Sequence, residues 1–131
     1  MSAKTIVLAF GVVILLVGIL GFFMDPILGI FAANTLLNLI HTVSGLLAMF
    51  LGMKSEWGAK LFAKVFGVVY AILAVLGFAM SGDKIFGILT VNLAGDILHA
   101  VLALVFLFAG FSQAKSTPDA PAGAANPPGA Q

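Results

Sequence analysis

Six residues have types and spacing that could do chemistry: Asn34, Asn38 and His41 in the first half of the chain, and Asn92, Asp96 and His99 in the second. Both sets read Asn-x-x-x-Asn/Asp-x-x-His. Offsets of four and seven residues fall within about 60° of one face of an α-helix, so each phrase makes a polar stripe two turns long. Histidines bind protons and metals. Asp96 precedes His99 by three residues, close enough on the same face for the carboxylate to hold an imidazolium and fix its tautomer. Such a pair could exchange protons with water. Two histidines on facing helices could instead ligate one b-type haem, and His41, His99 and Asp96 could hold a divalent ion with water. The plainest reading is a structural and interaction role, in which the six residues hydrogen-bond to one another.

These alternatives make different demands on the fold. A structural network needs every polar atom satisfied and no cavity. Transport of a proton or small solute needs a path past the histidines. A haem gives a visible Soret band, although Asn38 and Asp96 would crowd a porphyrin and no arginine is present to pair with its propionates. Hydrogen bonds between membrane helices contribute only about 0.6 kcal/mol each on average. A buried Asp costs roughly 2.5–3.5 kcal/mol near the bilayer centre, whereas the Leu, Ile, Val and Phe residues between Asn92 and Phe111 return roughly 3–7 kcal/mol. That span therefore inserts despite Asp96, which stays a functional candidate by default. No Gly-x-Ser-x-Gly elbow, His-Glu-x-x-His helix or phosphate-binding glycine loop is present, so an enzyme is not indicated.

The elements that must position these residues are spanning helices. Of 131 residues, 62% are hydrophobic and 8% charged, against about 25% charged in soluble domains. The chain belongs in a bilayer. Six lysines without arginine make no basic face for nucleic acid. The absence of cysteine excludes disulfides and thiolate ligands. The expected partners are lipid, a second copy of the chain or other membrane proteins. Apolar runs predict helix 1 over Thr5 to Met24, ended by Asp25-Pro26. Helix 2 is expected from an N-cap at Asn34, with Thr35 the alternative, to about Met53, helix 3 from near Lys60 to near Met80, and helix 4 from about Asn92 to Phe111. Lys54 to Lys64, with Trp57 as an interfacial anchor, reads as an aqueous loop. Residues 27–33 and 85–91 read as apolar interfacial links, and 113–131 as a disordered cytoplasmic tail.

The chain also repeats itself. At an offset of 56, Phe10-Gly11-Val12-Val13 matches Phe66-Gly67-Val68-Val69, and Gly21-Phe22 matches Gly77-Phe78. After a two-residue insertion the offset is 58, where Gly29-Ile30 matches Gly87-Ile88, Asn34 matches Asn92, Asn38 matches Asp96 and His41 matches His99. The expected architecture is all-α: a four-helix transmembrane bundle of two tandem parallel repeats, about 4–53 and 60–111, within a membrane domain of residues 1–112. Repeats of two spans share an orientation and are related by a pseudo-twofold axis along the membrane normal. His41 and His99 then lie at equal depth. The small residues Gly45, Gly52, Ala103 and Gly110 extend the stripes and predict a close seam between helices 2 and 4, at whose outer half the six polar residues are expected to form one outward-facing cluster. Lys4, Lys54, Lys60, Lys64 and Lys115 fall on one side and Lys84 on the other, which places both termini in the cytoplasm of a cytoplasmic membrane.

The doubled phrases, Gly29 to His41 and Gly87 to His99, with Phe66-Gly67-Val68-Val69-Tyr70 between them, resemble a prokaryotic membrane family, domain of unknown function 4383. The resemblance covers about residues 4–112. It implies a four-span membrane protein and brings no activity. Asp96 answers Asn38, so any site is not chemically twofold.

Overall fold

A computed structural model describes residues 1–80 and 82–113. The expectation for residues 114–131 lies outside the described residues. The helices are α1 (Ala3–Gly21), α2 (Thr35–Lys54), α3 (Glu56–Ala79) and α4 (Leu93–Phe111), with a two-stranded hairpin of β1 (Lys84–Ile85) and β2 (Leu89–Thr90) before α4. All four helices are long and apolar enough to cross a membrane. They form a bundle whose outer faces are apolar, with Leu16, Phe50, Val75, Leu104 and Phe108 among the exposed side chains.

Capping sets the helix starts. Ser2, Asn34, Ser55 and Asn92 each accept a backbone N–H of the first turn through the side-chain oxygen, which satisfies a donor that the helix itself leaves free. The expected aqueous loop from Lys54 to Lys64 is absent: Ser55 alone separates α2 from α3. Ser55 both ends α2 and caps α3, accepting from Gly58 N at 2.9 Å. Glu56 then sits in the first turn of α3, where the helix dipole favours an anion. Helix α3 therefore begins four residues before the expected Lys60.

The two links are copies in structure as well as in sequence. In the first, Ile27 pairs with Phe31 as an antiparallel bridge, and in the second Ile85 pairs with Leu89. Each turns through two left-handed residues, Leu28-Gly29 (φ 53° and 71°) and Phe86-Gly87 (φ 49° and 70°). Glycine takes this conformation without strain, which explains its recurrence at the second position.

Close packing lies within each repeat. A Cβ at Gly45 would stand 2.6 Å from Leu15 N of α1, and one at Gly110 would stand 2.9 Å from Lys64 N of α3. The small faces of α2 and α4 are thus spent on α1 and α3. The expected seam through Gly45 and Ala103 does not form, because the backbones of α2 and α4 stay apart along their whole length. Instead α1 and α3 approach each other across the centre. Buried Phe62, Tyr70 and Phe106 fill the core between the repeats.

Candidate functional site

The six expected residues divide into three layers. At the top, Asn34 and Asn92 each work twice. Their Oδ1 atoms accept Leu37 N and Gly95 N, both at 2.9 Å, as helix caps. Their amides reach across the pseudo-twofold axis, Asn34 Nδ2 donating to Ile88 O at 2.6 Å and Asn92 Nδ2 to Ile30 O at 2.8 Å. Each repeat holds the other's link. This reciprocal clasp needs both an acceptor and a donor on one short side chain, which asparagine has.

One turn deeper, Asn38 and Asp96 turn toward the first helix of their own repeat. Asn38 Oδ1 lies against Gly21 and Asp96 Oδ1 against Gly77, each occupying the space that a Cβ would take. Neither oxygen has a hydrogen-bond partner. The expected Asp96–His99 pair is not formed, because the carboxylate points to α3 while the imidazole turns to the centre, and His99 Nδ1 has no partner.

His41 and His99 do meet, with ring centroids 5.9 Å apart and planes inclined by 46°. Their Nδ1 atoms are buried and unpartnered. Tyr70 of α3 completes a triangle, 6.5 Å from the His41 ring and 5.7 Å from the His99 ring. Its hydroxyl is 3.4 Å from Ser44 Oγ. Ser44 donates to His41 O at 3.2 Å, so Tyr70 is the donor in the longer contact. Ser44 and Tyr70 belong to the site although neither is in the doubled phrases. Their sequence signals were a serine three residues after His41 on the same face and the chain's single tyrosine. Their repeat equivalents are Leu102 and Ile14, so the centre is polar toward the α2–α3 side and apolar toward α1–α4.

Above the histidines lies a cavity of about 10 Å³, lined by His41 and His99 and by Ile27, Phe31, Thr90 and Val91 of the two links. It has about the least volume that holds one water molecule, whereas cofactor pockets run to roughly 300–1000 Å³. Below the triangle an aromatic layer closes the centre. Phe106 lies 6.0 Å from Tyr70, 5.5 Å from Phe62 and 6.0 Å from Phe10. Among the described residues no three His, Asp or Glu side chains converge on a point where they could hold a metal. Asp96 lies in its own seat against Gly77, while His41 and His99 face each other at the centre.

A family model matches residues 4–112, which include both links and all of the four helices but Ala3. The chain belongs to DUF4383, a domain of unknown function. No curated protein and no solved structure matches it. The DUF4383 domain here thus comprises the clasp, the two glycine seats and the histidine–tyrosine triangle.

Proposed function

We propose that this DUF4383 protein is a proton-responsive structural or interaction subunit of a prokaryotic cytoplasmic membrane, with both termini in the cytoplasm and the two links outside. Lys4, Lys54 and Lys60 cluster at the end where the chain starts, which supports that orientation. The observation that carries the reading is the pair of buried imidazoles with unpartnered Nδ1 atoms beside a cavity for one water. A network built only for stability would satisfy those atoms. The cavity lies under the links, so protons arrive from the outer side, and the layer of Phe10, Phe62 and Phe106 supports a site open to one side only. Two imidazolium charges 5.9 Å apart repel, so the pair takes up protons one at a time.

The site needs no cofactor in this reading and performs no enzymatic reaction. Its partners are lipid, a second copy or another membrane protein that senses the state of the triangle. The test uses protein in liposomes with ¹⁵N-labelled histidine. An outer pH step should titrate His41 and His99 without proton leak into the lumen, and Tyr70→Phe should shift that titration while the protein remains folded. A leak abolished by His41→Ala would replace this reading with transport. Histidines silent across about pH 4–8 would leave the structural role alone. A Soret band lost in both His41→Ala and His99→Ala would make it a haem protein.

A further inference from the structure

The two glycine seats are the same site built twice, and one holds an amide where the other holds a carboxyl group. Gly21 of α1 receives Asn38 of α2, and at the repeat-equivalent positions Gly77 of α3 receives Asp96 of α4. Both side chains are buried, with relative exposures of 3% and 5%. In both, Oδ1 faces the glycine without a hydrogen-bond donor. Asn38 is neutral at every pH. A protonated carboxyl group has the shape and polarity of that amide, whereas a carboxylate would press a share of its charge, at Oδ1, against Gly77 where no donor meets it.

We propose that Asp96 is a proton-binding site of the membrane domain, seated against Gly77 as a neutral carboxylic acid in the place its counterpart gives to an amide. The titratable groups on neighbouring elements do not oppose this. His99, on the same helix, is turned toward His41. Tyr70 lies two turns away on α3, and Asp83 and Lys84 of the second link are exposed. The dipole of α4 favours an anion in its first turn. However, the N–H of Asp96 is taken by Asn92 O and that of Gly95 by Asn92 Oδ1, so neither is free to hold one. Loss of the proton would drive the carboxylate out of the seat toward the α4 start, one turn and about 6 Å away. The proton would thereby govern how α4 packs on α3. Asp96 does not line the histidine cavity, so this inference is independent of the histidine reading and can fail or hold separately.

The infrared spectrum of the purified protein in nanodiscs reads the state directly. Wild type at neutral pH should show the C=O stretch of a protonated carboxylic acid, Asp96→Asn should lack it, and Glu56→Gln should keep it. No such band in wild type, or its persistence in Asp96→Asn, would overturn the proposal. Thermal melts give a second reading. Asp96→Asn should melt no lower than wild type at neutral pH, and its advantage should grow as pH rises and the wild-type carboxyl ionises. A lower melting point for Asp96→Asn throughout would show that an anion had been stabilising the fold. Should Asp96→Asn fail to fold, ¹³C-carboxyl aspartate in the wild type distinguishes acid from carboxylate by chemical shift, and the absence of any acid signal among the four aspartates at neutral pH overturns the proposal.

Discussion

At the scale of residues, identical side chains in the repeated phrase do different work at different depths. Asn34 and Asn92 are caps and clasps, while Asn38 and Asp96 fill glycine seats. The clasp can be separated from the cap. Asn34→Asp keeps an oxygen for Leu37 N but loses the amide that donates to Ile88 O. Asn34→Ala loses both. Caps contribute about 0.5–2 kcal/mol and a neutral hydrogen bond about 0.5–1.5 kcal/mol. Thermal denaturation in detergent should therefore rank wild type above Asn34→Asp and Asn34→Asp above Asn34→Ala. An Asn34→Asp variant as unstable as Asn34→Ala would mean that the clasp, not the cap, carries the whole effect. The doubled phrase marked these residues in the sequence, but it could not separate their roles. A helical face spans about 100° of directions, and the tertiary neighbours decide which of them each side chain takes.

At the scale of elements, each repeat is a tight helical hairpin whose small residues are used internally. Gly45→Ala should destabilise the protein by about 1–3 kcal/mol, the usual cost of overpacking, because the added Cβ meets the backbone of Leu15 rather than a flexible side-chain end. Cysteine crosslinking checks the same arrangement through proximity. Gly11→Cys with Ala48→Cys should form a disulfide once α1 and α2 part by about 1 Å, since a Cβ at position 11 falls closer to that of Ala48 than the usual disulfide spacing. Gly45→Cys with Ala103→Cys should not, since the backbones of α2 and α4 remain apart. The reverse pattern would restore the seam that the stripe of small residues implied. That stripe was legible in the sequence, but its partner was not, because a glycine permits close approach from any helix.

At the scale of the molecule, two contacts far from the histidines close the other end of the bundle, and the first of them ties the repeats together. Glu56 of α3 accepts Ala3 N at 2.9 Å and Lys4 N at 3.3 Å, holding the N-terminus of α1 with a charge suited to its dipole. Lys60 donates to Ser112 O at 2.8 Å, closing the end of α4. Hydrogen bonds to charged groups contribute roughly 1.5–3 kcal/mol, so Glu56→Ala should lower stability by about that much, and Glu56→Gln by less because one acceptor oxygen remains. Equal losses in the two variants would show that charge at the α1 terminus, rather than hydrogen bonding, is what matters. With the clasp at one end and Glu56 at the other, the bundle is pinned on both sides of the triangle. A proton at its centre would therefore act on packing that has little freedom to absorb the change elsewhere.

The sequence by itself determined the four spans to within about a turn at their ends, the cap at Asn34, the twofold repeat and the equal depth of the histidines. These depend on local chemistry, namely apolar run length, capping side chains and residue offsets along a helix. The encounter of His41 with His99 followed from repeat symmetry, although the route to it was different: the side chains bridge a gap that the helices themselves do not close. Only the tertiary structure decided that α1 and α3 meet at the centre, that Asp96 leaves His99 for Gly77, and that Tyr70 and Ser44 make one side of the site polar. Those outcomes rest on which of several sterically permitted surfaces come together. Periodicity limits that choice without making it, because packing energy belongs to pairs of surfaces and not to either one alone.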